Sequence, residues 1–268
     1  MKKLRKFNFR WPIINRKKLV LFLAIVIVLL ATANIFFDEI ARPVSLNLLQ
    51  TERLVPIYYV DTEEKKVAFS FDACWGAERT PVILNELREN DIKTTFFLTG
   101  FWVEKYPEKV KKIASEGHEI GNHTFSHPHL NSLDEEEIAQ ELVRVGRMIE
   151  ELIETRPTLF RPPYGEYSNK VIETAARVND QTIQWSIDSL DWQEHGKEPL
   201  IQRVTENLHP GAIILFHNNG LYTAEALPEI IDYVKKEGYT IVPISELLYK
   251  DNFYIDSNTG AQIQEPPR

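Results

Sequence analysis

The sequence predicts an α/β domain, a (β/α) barrel of about seven strands, preceded by one transmembrane helix. Three observations carry this reading. Seven short runs rich in β-branched and aromatic residues alternate with helix-like stretches, which is the pattern of a parallel sheet closed by helices. Polar or ionisable residues stand at the C-terminal ends of five of those runs, where a β/α barrel assembles its active site. A long apolar run follows a tract whose only charges are basic, the arrangement of a membrane anchor.

Residues 1–18 form a cytoplasmic basic tail with eight Lys or Arg, and no acid precedes Asp38. "LVLFLAIVIVLLATANIFF", Leu19 to Phe37, follows; at ~1.5 Å per residue it reaches roughly 28 Å, enough to cross a hydrocarbon core. The charge asymmetry places the N-terminus in the cytoplasm and the remainder outside, as in a single-pass protein of the cell membrane. "ATA" at Ala31–Ala33 also has the small-x-small pattern of a signal-peptide site, which would release a secreted form starting at Asn34. The long basic lead and the apolar Ile35–Phe37 beyond that site favour a retained anchor. Residues 38–64, with Pro43 and Pro56, read as a linker, 65–250 as the domain, and 251–268 as a polar, frayed tail.

Within the domain the strand-like runs are "VAFSFDA", "TTFFLTG", "HEIGNHT", "TLFRPP", "TIQWSID", "AIILFH" and "TIVPI". The clearest helix begins at "SLDE", where Ser132 and Glu135 are spaced as a capping box. It continues through Ile138, Leu142, Val145, Ile149 and Leu152, one apolar face at steps of three and four. Gly117 and Gly238 stand where helices should end.

Charge narrows the partners. Removing the eight N-terminal basics from the total of 31 leaves 23 against 39 acids, a net charge of −16 for residues 38–268. So acidic a domain is a poor match for nucleic acid or any polyanion, whereas neutral or cationic glycans and small molecules remain open. The single cysteine, Cys74, excludes an intrachain disulfide, so the domain folds on its apolar core alone, for which about 230 residues suffice.

Four of the seven histidines, His118, His123, His127 and His129, fall within twelve residues. His123 and His127, four apart, can turn two imidazoles toward one divalent metal. Asp72, His123, Arg161, Asp188 and His217 end five different runs and therefore meet on one face of a barrel. Ion pairs closing the barrel mouth are the alternative.

"FSFDACWG", "HTFSHPH", "FRPPYG", "SIDSLDW" and "ILFHN" stand in the order and spacing of the five motifs of the polysaccharide deacetylases, the NodB-homology domain of carbohydrate esterase family 4. The chain resembles that family over roughly Lys66 to Leu248. The resemblance implies the distorted barrel and metal-dependent hydrolysis of N-acetyl or O-acetyl groups on sugar polymers. It implies Asp72 as general base, His123 and His127 as metal ligands, and Arg161 as the group that positions the base. It further implies His217 as general acid oriented by Asp191, and the Tyr164 backbone N–H as a donor to the acetyl carbonyl. Trp192 and Leu215 would wall the pocket for the acetyl methyl. His118 and His129 have no place in that set and read as structural or solvated; Asp188 either reinforces the site or bonds to backbone.

One departure stands out. The family's first motif has two consecutive aspartates, the second a metal ligand, and here that position is Ala73. A water, or Asp72 itself, would have to complete the coordination of a divalent metal, zinc foremost. The expected activity is removal of N-acetyl groups from an envelope glycan, peptidoglycan first and chitin-like oligomers second. A glycan-binding pseudoenzyme, or an O-acetyl esterase using the same residues, are the alternatives.

Overall fold

The structure is a computed structural model and describes residues 16–36 and 52–266. The chain divides into two units, Met1–Glu52 and Arg53–Arg268. In the first, helix α1 spans Arg16–Phe36. Its apolar side chains from Leu19 to Leu30 are largely exposed, and Thr32 bonds back to the carbonyls of Val28 and Leu29. Basic residues take its first turn and Asn34 falls in its last. Among the described residues no helix is long and apolar enough to cross a membrane, so the expected span is met only by a helix over that stretch. Residues 1–15 and 37–51, which include most of the basic tail and half of the expected linker, lie outside the described residues.

The second unit is built on strands β1 (Tyr59–Val60), β2 (Lys66–Ala73), β3 (Thr95–Leu98), β4 (Glu119–Asn122), β5 (Leu159–Phe160), β6 (Gln181–Thr182), β7 (Ile187–Asp188), β8 (Ile213–His217), β9 (Thr240–Ile241), β10 (Phe253–Ile255) and β11 (Ala261–Gln264). Eight of them form one sheet with spatial order β6-β5-β4-β3-β2-β8-β7, and β9 pairs with the first two residues of β2. Each pairing along it is parallel. "TIQWSID" contributes to two strands, because the chain leaves β6 at Thr182 and starts β7 only at Ile187. An apolar run of that length cannot reveal from periodicity alone that its pairing partner changes midway.

Helices α2 (Thr80–Glu89), α3 (Gly100–Lys105), α4 (Pro107–Ser115), α5 (Glu135–Ile153), α6 (Asn169–Arg177), α7 (Lys197–Thr205), α8 (Thr223–Lys236) and α9 (Ile244–Leu247) connect the strands. On α5, Ile138, Leu142, Val145 and Ile149 are buried as their spacing predicts. Its cap is shifted by two residues from the expected one. The Glu137 N–H donates to Asp134 Oδ1 and the Asp134 N–H to Glu137 Oε2, each at 2.9 Å. "SLDEEE" contains two overlapping capping boxes, and Ser132 instead bonds to the His129 carbonyl within a 3₁₀ turn. Gly117 and Gly238 follow helices with φ of 81° and 83°, the left-handed conformation that ends a helix at low cost with glycine.

Two boundary expectations are corrected. Residues 57–60 are not linker. Ile57 pairs beside β6 at Ile183, and Tyr59 pairs with Ala212 at the foot of β8, so this segment straps the open seam of the barrel. Gly211, with φ 74°, receives the Val60 carbonyl so closely that a Cβ would lie 1.8 Å from its oxygen. The polar tail is also ordered: β10 and β11 form a hairpin, and β11 pairs in parallel with β1. Gln262, fully buried, satisfies the Tyr249 backbone in both directions. A tail rich in polar residues gives no hydrophobic periodicity, yet its backbone finds its partners in an edge strand.

Candidate active site

The alternation of β2 sorts its residues. Val67, Phe69, Phe71 and Ala73 pack in the core under the helices. Asp72 and, one step past the strand end, Cys74 fall on the opposite side and line a cavity of about 490 Å³ at the barrel mouth. The C-terminal ends of four other strands converge on this mouth. His123 follows β4, Arg161 follows β5, and Asp188 and His217 end β7 and β8. Asp72 and His217 sit side by side in register on adjacent strands.

Asp72 is buried. Arg161 Nη1 donates to its Oδ1 at 2.8 Å, and His123 Nε2 lies 3.6 Å from its Oδ2. Burial alone would raise the Asp72 pKa, but the Arg161 charge, with those of His123 and His217, outweighs it and holds the carboxyl below its ordinary value. Asp72 is therefore an anion at neutral pH. Arg161 is itself fully buried; it donates to the Gln184 carbonyl at 3.0 Å and lies over the Phe97 ring, 4.2 Å from its centroid. Unpaired, so buried a cation would be costly. The Asp72 partnership and these contacts fix both groups.

His217 and Asp191 form a second pair. Asp191 Oδ1 lies 2.7 Å from His217 Nδ1, and its Oδ2 accepts the His217 backbone N–H at 2.7 Å and the Thr223 hydroxyl at 2.6 Å. The carboxylate thus holds the imidazole by two points and is held by a third. Burial would lower the His217 pKa, but the Asp191 hydrogen bond and the charges of Asp191, Asp72 and Asp188 raise it above the ordinary value. Asp188 accepts the Leu190 N–H at 2.9 Å, the strand-end backbone role, while also lining the cavity.

His123 and His127 face one another, ring centroids 4.9 Å apart. His123 Nδ1 is 2.7 Å from the Arg161 carbonyl and so carries the proton, leaving the Nε2 lone pair toward the cavity. His127 Nδ1 is buried without a hydrogen-bond partner. Burial holds the His127 pKa down at about 4, so this imidazole is neutral and fit to ligate. Among the described residues, the one group of His, Cys, Asp or Glu side chains spaced to hold a metal is Cys74, His123 and His127, with ligand atoms all within 4.8 Å of one another. Burial, with Asp72 close by, pushes the Cys74 thiol well above its ordinary pKa, so it is protonated without a cation. An unpartnered buried imidazole nitrogen and two neutral imidazoles beside a thiol are a donor set that fits a divalent transition metal.

The histidine loop is strained and braced. Thr124, His127 and, across the cavity, Tyr164 and Leu190 have φ of 65°, 56°, 59° and 56°, a region that costs a non-glycine residue roughly 1–2 kcal/mol. Asn122 offsets part of this cost. Its Oδ1 accepts the Thr124 N–H, and its Nδ2 donates to the Leu142 carbonyl and to Asp180. Trp75, Tyr164 and Trp192, each 56% exposed, rim the cavity, and Leu215 is buried in its wall. Among the described residues no lysine or arginine lines the cavity; Arg161 is buried behind Asp72.

The structure therefore brings Asp72, His123, His127, Arg161, Tyr164, Asp191, Trp192, Leu215 and His217 to one place. His118 is apart, accepting the Thr94 N–H at its Nδ1, and His129 pairs with Glu166 and stacks on Tyr164. Sequence reasoning missed Cys74, Trp75, Asn122 and Thr223. Cys74 alone carried a usable signal: two residues past Asp72, it shares that residue's side of the strand. Thr223 reaches Asp191 from the start of α8, and nothing local in the sequence announces such a contact.

A polysaccharide deacetylase family model matches residues 59–183. A peptidoglycan-N-acetylglucosamine deacetylase of Bacillus cereus is 37% identical over 68% of this chain and 68% of its own length. The Bacillus subtilis peptidoglycan-N-acetylmuramic acid deacetylase PdaA is 33% identical, covering 77% of this chain and 80% of its own. Among solved structures, BA3943 of Bacillus anthracis, a pseudoenzyme of carbohydrate esterase family 4, superposes with a TM-score of 0.70 at 37% identity, over 72% of this chain and 68% of that one.

Proposed function

The chain belongs to the polysaccharide deacetylase family, and from that premise we propose that it removes N-acetyl groups from an envelope glycan, peptidoglycan first. The observation that carries this is the placing of two oppositely tuned groups side by side at one cavity. An anionic Asp72 stands in register with a His217 whose pKa is raised, which is the division of labour a base and an acid need.

Hydrolysis of an acetamide adds water to the acetyl carbon and sends a proton to the nitrogen as the C–N bond breaks, giving acetate and a free amine. Asp72 takes the proton from water. Arg161 keeps that carboxylate ionised and aimed. His217, steadied by Asp191 as an imidazole is in a catalytic triad, delivers a proton to the departing amine. A divalent metal at His123 and His127 would polarise the acetyl carbonyl and acidify the water; zinc is the favoured ion. Tyr164 contributes its backbone N–H to the carbonyl, and Trp192 and Leu215 receive the acetyl methyl. The exposed faces of Trp75, Tyr164 and Trp192 offer stacking surfaces for sugar rings. With no cation lining the cavity, the site suits a neutral N-acetylglucosamine better than a sugar bearing a carboxylate.

For location we propose that the domain acts outside the cytoplasmic membrane, directed there by the basic tract followed by an apolar run; the exposed apolar side chains of α1 support contact with lipid. The pseudoenzyme reading is favoured by Ala73 and the likeness to BA3943. Acetate release by the purified, zinc-loaded domain decides between them: turnover on N-acetylglucosamine polymers supports the deacetylase, and binding without release supports the pseudoenzyme. Release from O-acetylated glycans alone would make it an esterase.

A further inference from the structure

We propose that Cys74 is the third protein ligand of the metal, its sulfur taking the place for which Ala73 has no donor. The inference rests on the metal-dependent reading of the site and goes beyond it by assigning a thiolate where the family's motif has a carboxylate.

Ala73 is fully buried in the core beneath the helices, among residues of the other β2 face. Its methyl marks a position turned away from the cavity. Cys74 is buried too, at 4% exposure, but lines the cavity. Its sulfur lies with nitrogens of His123 and His127 in a set that spans no more than 4.8 Å, a separation that small side-chain movements close onto one ion. Asp72 is the poorer candidate for this place, because Arg161 already binds its Oδ1 at 2.8 Å. His127 Nδ1 is buried with no hydrogen-bond partner among the described residues.

The chemistry is balanced without a redox partner. A divalent cation displaces the thiol proton to solvent, and one metal–sulfur bond replaces the S–H bond. One thiolate and two imidazoles leave a fourth tetrahedral position for water or substrate. Such a set prefers Zn²⁺, Co²⁺ or Cd²⁺ to Mg²⁺, Mn²⁺ or Ca²⁺, unlike a carboxylate-containing set, which accepts the harder ions more readily.

The test titrates Co²⁺ into the full metal-free protein and into Cys74→Ser and Cys74→Ala, with calorimetry for affinity and absorption for ligand type. Near-ultraviolet circular dichroism checks that each variant is folded. Wild type should show an intense sulfur-to-cobalt charge-transfer band that both variants lack. Zinc affinity should fall on the order of tenfold or more in Cys74→Ala, since losing even an outer-shell partner costs ~10–100-fold. Cobalt bound with no charge-transfer band, and with equal affinity in wild type and Cys74→Ala, would overturn the thiolate while leaving the metal-dependent reading intact. No metal bound by folded wild type would overturn both.

Discussion

Asp72 meets its neighbours in a way that separates charge from geometry. Asp72→Asn preserves the size of the side chain and a hydrogen-bonding oxygen for Arg161, but an amide cannot take the proton from water. Turnover should fall by ~10²–10⁴ with thermal stability retained well enough for the variant to purify folded; wild-type acetate release would remove Asp72 from the mechanism. His217 is tested through the leaving group. An amine must be protonated to depart and an activated alkoxide much less so, so His217→Ala should lose about tenfold more activity on N-acetyl than on activated O-acetyl substrates. Equal losses would make it a structural residue. Asp191 sets where that acid titrates. Because the His217 pKa is raised, its proton persists to higher pH than in free imidazole and is lost as pH rises through the raised value. Asp191→Asn removes the charge, and weakens the hydrogen bond, that oppose burial, so the alkaline limb of kcat/KM should move to lower pH; an unmoved limb would assign it to another group. Asp72 and His217 were legible because charges at the ends of apolar runs are costly and conspicuous, whereas Asp191 came only from the family resemblance. Cys74 was not legible, since a lone cysteine forms no pattern of its own, although strand alternation puts it on the side of Asp72.

At the scale of elements, the seven apolar runs located the sheet because each strand is buried by pattern, and α5 was legible from its apolar face. What escaped was which distant strand each short segment pairs with. The strap at residues 57–60 is apolar, with Ile57 and Val60 buried, but four residues are too few to set a period, and its backbone bonds go to distant carbonyls such as those of Thr182 and Gly211; the β10–β11 hairpin likewise offers only short runs among polar residues. The same reason explains the hidden break between β6 and β7. Gly211 is the point where the strap presses hardest on the barrel. Gly211→Ala would place a methyl against the Val60 carbonyl and force an L residue to φ 74°. It should destabilise the domain by about 2–3 kcal/mol, a drop of about 4–12 °C in Tm. A Tm within a degree of wild type would show that the strap adds little to the barrel.

Across the whole molecule, a basic N-terminal tract precedes a domain of net charge −16 over residues 38–268, taken as 23 basic against 39 acidic. That balance suits export and a neutral or cationic glycan more than an anionic polymer. If α1 tethers the chain, the full-length protein should sediment with membranes and resist extraction by salt while remaining soluble in detergent. Recovery of a mature form beginning at Asn34 would establish cleavage instead. The acidic mouth, with Asp188, Asp191 and Glu194 at the cavity and no lining cation, extends the same charge logic to substrate choice. Whether this cavity hydrolyses the acetamide of an N-acetylated sugar polymer is read from acetate release over time from purified peptidoglycan by zinc-loaded wild type beside equally loaded Asp72→Asn. Wild type should release acetate steadily, with one new free amine per acetate, and the variant almost none. Folded, metal-loaded wild type that binds the glycan yet releases no more acetate than Asp72→Asn would contradict hydrolysis at this cavity.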